Sequence, residues 1–410
     1  MTQQSEARPA GPLPLSGVRV LAVEHFRMGP HGTMMLADSG AEVIKVEPPG
    51  GEQGRAMTVR DRDGQEVAFL PPSLSRNKKS ITLNLQTEEG KELFKSLVKV
   101  SDIVWENMRP GVMNRLGVGY EVLKQVNPGI IYVSLSGFGH GDMYRSPYQD
   151  WPAFDSVGQA MSGLMFSAGN EEQPPLYSTS VLADTVPSIT AAYAALVALQ
   201  HRQRTGLGQH VDIAMYDSMV ALNNLVINLY LFAGIKTPRG KLLTSAPFGP
   251  FMARDGYVVL AVGGNIIWGR FCRAIGREDL IDRPGLRTGF ERGYSNETVL
   301  RPIIEGWMAD KTRAEVCRFL LAHEVPAVPA QDVEEVVACP HLEARDMFWE
   351  IDDPALGKIK VVGSPIKMSA VPRTRPNPPP RPGQHNEEIL GKLLGLGQEE
   401  IDGLKQRGVL

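Results

Sequence analysis

The chain has 410 residues, 42% of them hydrophobic, which is enough for two or three domains with real cores. A formal charge of -3 shows no basic excess, so nucleic acid and an anionic membrane surface are poor partners, and any anionic ligand has to be met by a local cluster of cations. Cys272, Cys317 and Cys339 have no CxxC spacing, which gives neither a disulfide framework nor a zinc site and points to reduced thiols in a cytoplasmic protein. Residues 1–14 (MTQQSEARPAGPLP) read as a flexible tail rather than a signal peptide. No run of about 18 apolar residues suggests a membrane span. Residues 18–24 (VRVLAVE) then form a buried strand, and His25-Phe-Arg-Met-Gly-Pro30 turns into a short helix that ends near Gly40. Strands follow at 42–47 and 80–85. Thr87 caps a helix with Glu88 and Glu89 in its first turn, running to about Val100. Strand 102–106, helix 111–126 and strand 130–136 complete an alternation that predicts a parallel, Rossmann-like α/β sheet.

An alanine-rich helix spans 185–203, followed by the strand HVDIAM and a helix to about 233. Residues 236–256 are rich in Gly, Pro and Lys and read as a linker. Strand 257–262, two or three helices and the return EVPAVPAQDV make a second, smaller α+β domain over about 245–330. The layout is then a large domain from 15–235, a linker and small domain from 236–344, and a return arm with the rest of the large domain from 345–410. Residues 371–382 form an extended proline-rich arm, and a short amphipathic helix closes the chain.

Gly137-Phe-Gly139-His-Gly141 follows a strand, but its spacing is GxGxG rather than the GxGxxG of a dinucleotide fingerprint. GxSxG and HExxH are absent, so neither a hydrolase triad nor a metal site is expected. Asp184, in Ser180-Val-Leu-Ala-Asp-Thr-Val-Pro187, stands before the alanine-rich helix. It reads either as an N-cap or as a carboxylate that a helix N-terminus keeps ionised and able to attack a thioester. Ser75-Arg76-Asn77-Lys78-Lys79 is either a solvated loop or part of a polyphosphate site; Arg27, Arg109 and Arg115 also fall at or just after strand ends, where open α/β sheets bind ligands. His25 is a packing residue or a ligand contact, and Asp155 a cap of a helix over 156–164 or a site carboxylate.

Several stretches together resemble the family III CoA-transferases, the CaiB/BaiF family. They include LSGVRVLAVEHFRMGP, GAEVIKVEPPGGE, SRNKKSITLNL, NPGIIYVSLSGFG and, most specifically, DSVGQAMSGLM with VLADTVPSITAAYAALVALQHRQRTGLGQHVDIAMYDSM. The resemblance covers nearly the whole chain from Leu15. It implies CoA transfer from an acyl-CoA to a carboxylic acid, with Asp184, in the Ala183-Asp184 step, as the catalytic nucleophile. It implies CoA contacts at His25, Arg27, Met28, Ser75, Arg76, Asn77, Lys78, Asn107, Met108, Arg109 and Arg115, with Asp155 near the acyl group. A coenzyme A thioester would be a substrate, with no tightly bound cofactor. The same resemblance implies a homodimer of interlocked rings, a topology rare enough to rest on the family alone. The alternatives are an acyl-CoA racemase or isomerase on the same fold and a non-catalytic CoA-binding subunit. The racemases carry a histidine where this chain has Phe154, which removes a base they need. The glycine-rich loop of formyl-CoA transferase is missing, with Leu243-Thr-Ser-Ala-Pro-Phe-Gly-Pro250 in that region, and Arg27 replaces a usually neutral side chain.

Overall fold

A computed structural model describes residues 11–61, 63–141, 143–241, 244–354, 356–371 and 375–410. Most of the expected N-terminal tail, and parts of the expected linker and proline-rich arm, lie outside the described residues. Two compact units emerge. The first contains residues up to Met165, Tyr177–Asn224 and Ala344–Leu410; the second contains Phe166–Leu176 and Leu225–Glu343.

The first unit is built on a six-stranded sheet, all parallel: β1 (Arg19–Val23), β2 (Glu42–Glu47), β3 (Lys79–Thr82), β4 (Ile103–Glu106), β5 (Ile131–Ser136) and β6 (Gln209–Ala214). Their order across the sheet is β3-β2-β1-β4-β5-β6, so the direction of winding reverses between β1 and β4. The strands read as continuous apolar runs because both faces are covered. Val20, Ala22, Ile103, Trp105, Ile131 and Val133 face α1 (Met28–Asp38), α4 (Leu182–Thr205) and α5 (Met215–Leu222). Leu21, Val23, Ile44, Val104 and Tyr132 face α2 (Glu88–Val98) and the closing helices Asn386–Leu394 and Gln398–Gln406. The chain therefore ends in two helices rather than one, and they complete the core of the N-terminal sheet. By length and composition α4 could cross a membrane, contrary to the sequence reading. Ala183, Ala191, Ala192, Ala195 and Ala198 of this helix are buried in the core.

Elsewhere local chemistry explains the departures. The strand expected at 80–85 stops at Thr82, and Asn84 turns the chain by giving its N–H to the Val409 carbonyl (2.8 Å). The helix expected over 111–126 is two, Val112–Arg115 and Tyr120–Val126, separated at Gly117, whose φ of 72° is the left-handed conformation that terminates a helix. Thr87 does cap α2, its hydroxyl accepting from Gly90 N at 3.1 Å.

In the second unit, the segment read as linker carries a strand, Phe248–Ala253, because its alternating apolar residues pair antiparallel with Gly256–Ala261. Ala327–Pro329 adds the third strand. Helices Gly264–Ala274, Arg301–Met308 and Arg313–Ala322 help bury a core that includes Phe251, Trp268, Phe271, Cys272 and Cys317. Burial raises the Cys272 thiol to about 12, which makes it unreactive.

In the first unit α1 and α4 approach each other closely. A Cβ on Gly32 would lie 2.6 Å from the Trp105 ring and 2.9 Å from the Ser188 carbonyl oxygen. Gly32→Ala should therefore destabilise the protein by about 1–3 kcal/mol, the usual cost of overpacking a filled core. Denaturant unfolding checks this; an unchanged midpoint would mean the two helices have room to part.

Candidate active site

β1 and β4 are neighbours at the point where the winding reverses, and their carboxyl ends therefore open a crevice between the chains that leave them. Leaving β1, the chain makes a tight turn through Phe26 (φ 56°) into α1. Such a conformation is strained for a bulky residue and has to be held in place. Asn107, just beyond β4, holds it from one side: its Oδ1 accepts from His25 N (2.9 Å) and its Nδ2 donates to the His25 carbonyl (3.1 Å). Glu52 holds it from the other, accepting from Phe26 N (3.3 Å) while ion-paired to Lys45 (3.1 Å).

Around this turn lies a cavity of about 270 Å³ within the first unit. His25, Arg27, Met28, Asn107, Met108, Arg109 and Asp184 all line it, so seven of the residues singled out in the sequence converge on one space. The rest of the wall was not read as a site in the sequence: Phe26, Gln53, Pro110, Ser136, Trp151, Pro152, Ala153 and Met215, with Gly137, noted only in a GxGxG run, and Phe154, noted only as the residue replacing a histidine. Gly137 and Met215 immediately follow β5 and β6, so the strand-end rule applied to those strands would have found them.

Asp184 lies in the first turn of α4 and does not cap it, so of the two sequence readings the N-cap does not hold. The capping position is Val181, in the left-handed conformation (φ 46°), an outlier for a β-branched residue. The cap comes from a distant residue. Asp155, first residue of α3 (Asp155–Met161), accepts from Ala183 N at 2.7 Å and Asp184 N at 3.3 Å. Its other oxygen accepts from Gln159 Nε2 (2.7 Å). Asp155 is buried, so its charge is spent on α4 and acts on Asp184 from behind. Burial, reinforced by the Asp155 charge and opposed by Arg27, raises Asp184 to about 6. Desolvation thus raises the carboxylate above its ordinary range, while a value of about 6 still leaves it ionised at neutral pH. Burial likewise lowers His25, which favours the neutral ring.

A second buried network fastens the cavity walls together. Glu106, the last residue of β4, accepts from Met108 N (2.7 Å) and pairs with His140 Nε2 (3.0 Å). Asp212 accepts from His140 N (2.9 Å) and faces its ring at 3.6 Å. Burial opposes charge on His140, but the facing carboxylates of Asp212 and Glu106 outweigh it and raise the pKa to about 10. The imidazolium thus joins the loop after β5 to the loop after β4.

The Ser75–Lys78 cluster is not brought to this cavity. Ser75 is buried at the end of the helix Leu70–Leu74. Arg76 grips Asp38 through Nε (3.0 Å) and Nη2 (2.7 Å), donates to the Val362 carbonyl and lies over the Trp349 ring. Asn77 binds Asp38 (2.8 Å) and receives Asn377 N of the proline-rich arm (2.8 Å). Lys78 is wholly buried, paired with Glu24 (2.6 Å) and donating to Thr33 and the Pro30 carbonyl; burial lowers it to about 8. These residues hold the β1–α1 turn and the arm in place. Arg115 is exposed and lies over Gly111, two residues beyond Arg109, which is itself exposed.

Comparison with known proteins gives this geometry a lineage. Residues 15–386 match the model of CoA-transferase family III. The chain is 37% identical over 410 residues to the succinyl-CoA–D-citramalate CoA-transferase of Chloroflexus aurantiacus, covering 99% of this chain and 100% of that one. It is 36% identical over 398 residues to the succinyl-CoA:mesaconate CoA-transferase of Haloarcula hispanica, covering 95% and 98%. A crystal structure of a CaiB/BaiF family protein from Brucella suis superposes with a TM-score of 0.79 at 31% identity, over 93% of this chain and 100% of that one. The protein belongs to CoA-transferase family III, and it is an enzyme of that class.

Proposed function

We propose that the enzyme moves CoA from an acyl-CoA to a free carboxylic acid by covalent catalysis at Asp184. The observation that carries this reading is a desolvated carboxylate in a cavity at the sheet's switch point, with a pKa of about 6. Such a group is ionised at neutral pH yet more basic than an ordinary carboxylate, as suits a nucleophile. In the first step an Asp184 oxygen bonds to the thioester carbonyl carbon and the C–S bond breaks, giving a mixed anhydride and CoA thiolate. The thiolate attacks the Asp184 carbonyl, forming an aspartyl-CoA thioester and releasing the donor acid as its carboxylate. The acceptor carboxylate displaces the thiolate from Asp184, giving a second anhydride. Finally the thiolate takes the acceptor acyl group and Asp184 leaves as the free carboxylate. Each step exchanges one activated acyl for another.

The arrangement of charge supports this route. Arg27, whose charge favours ionised Asp184, partly offsets the burial that disfavours it. Exposed Arg109 on the cavity wall, with exposed Arg115 close by in the chain, suits the phosphates of CoA. Phe154 on the wall offers no base for racemisation. The acids named in the two relatives above are dicarboxylic, which makes succinyl-CoA the first donor to test.

Assembly as an interlocked homodimer belongs to the same proposal. Its support is an exposed apolar face on α4 formed by Ile189, Tyr193, Leu196 and Val197, at helical spacing. Light scattering should give twice the 44.9 kDa chain mass; a monomer at working concentration counts against it.

Asp184→Ala should lower transfer by at least about 1,000-fold while CoA still binds. With acyl-CoA and hydroxylamine, mass spectrometry should find a hydroxamate at Asp184, and retained activity in the alanine variant would end the covalent reading. Because the nucleophile is the ionised form, transfer should fall as pH drops through about 6. Asp155→Asn keeps an oxygen for the α4 N–H groups but removes a charge that raises Asp184. The acid limb should move to lower pH, and a limb that stays put would show that Asp155 has no electrostatic hold on Asp184.

A further inference from the structure

We propose that Arg27 binds a second carboxylate on the acyl chain, so that this site selects dicarboxylic acids; the inference rests on the CoA-transfer reading above. The cavity wall is mostly apolar, with Met28, Trp151, Phe154 and Met215 among its residues. Arg109 is exposed, and burial favours the neutral form of His25. Arg27 is the cation left inside. It is half-buried, and its Nε is shielded from solvent with no hydrogen-bond partner among the described residues.

Other arginines in this unit show how unusual that is. Arg76 is held by Asp38, and Arg55 reaches both oxygens of Glu47 (2.6 and 2.7 Å). A buried guanidinium donor with nothing to donate to is costly, and arginine cannot shed its proton to escape the cost. What relieves it is a planar anion, and a carboxylate matches the guanidinium fork.

Chemistry then decides which carboxylate. The reacting carboxylate has to surrender its charge as it attacks, and a cation clamped to it would hold that charge back. A distal carboxylate stays ionised through all four exchanges. Meanwhile Asp184, whose charge balances Arg27 at rest, becomes a neutral anhydride and then a thioester. A substrate carrying its own second anion keeps Arg27 matched throughout; a monocarboxylic chain does not.

Self-exchange of a labelled acid into its own CoA thioester isolates this from the choice of partner acid. The assay compares succinate with butyrate, and glutarate with valerate, each pair matched in chain length. In Arg27→Gln the ratio of dicarboxylic to monocarboxylic kcat/KM should fall about 10- to 100-fold, the usual worth of a charged hydrogen bond, and Arg27→Lys should recover part of it. A ratio that does not change, as a contact to CoA phosphate or a general folding defect would leave it, overturns the assignment of Arg27 alone. No exchange of any acid by the native enzyme would sink the CoA-transfer reading and this proposal with it.

Discussion

Everything at the candidate active site depends on how closely α1 and α4 approach across the end of β4. Gly32 has no side chain because the Trp105 ring and the Ser188 carbonyl occupy the space one would need. That contact brings two chain segments more than 150 residues apart into one frame. Ser188 Oγ lies within reach of the Met28 carbonyl and the Asp184 carbonyl (2.6 Å), and its single proton serves one at a time. Arg27–Met28 and the first turn of α4 are therefore fixed to each other through one hydroxyl. Alanine makes this possible on the other side, since larger residues at 191, 192, 195 and 198 would push α4 off the sheet.

Charge in the interior is distributed with equal economy. The buried cations near β1 all have partners: Lys78 with Glu24, Lys45 with Glu52, Arg76 with Asp38. Removing one member of such a pair strands the other and costs about 3–5 kcal/mol, so these pairs keep the strained Phe26 turn from relaxing. Asp184 and Arg27 are the contrasting case. They share a cavity and feel each other's charge, yet the carboxylate rises to about 6 and the guanidinium keeps an unpartnered Nε. Lys78, Lys45 and Arg76 are paired within the chain, whereas Arg27 Nε has no hydrogen-bond partner among the described residues.

Much of this was legible in the residues and some was not, for identifiable reasons. The parallel sheet shows because strands buried on both faces read as unbroken apolar runs, and the helices between them carry capping signals such as Thr87. His25, Arg27 and Arg109 stand at strand ends that can be counted in the sequence, whereas Met28, Asn107 and Met108, which line the same cavity, were named by the family resemblance alone. Ser75–Lys78 does not line the cavity, and the sequence could not show this, because a run of polar and basic residues looks alike whether it is solvated or buried against carboxylates 38 and 54 residues away. Asp155 was the hardest to read. Its carboxylate reaches across 28 residues to Ala183, and no local pattern announces a helix whose cap comes from another element. Phe248–Ala253 was hidden because Gly249 and Pro250 look like linker, although antiparallel pairing tolerates both at that edge.

The borrowed cap has a consequence for the proposed chemistry. Had Asp184 capped its own helix, its oxygens would have been tied to backbone N–H groups and its pKa driven down. Such a carboxylate would be ionised but a weak nucleophile, with its lone pairs already engaged. Asp155 takes over those N–H groups and leaves the Asp184 oxygens free, while the negative charge it brings raises Asp184 further. One carboxylate supports the helix so that the other can react. The strained Val181 is the local cost of that exchange, because the chain has to enter α4 at an angle that aims Asp184 into the cavity and Ala183 N toward Asp155.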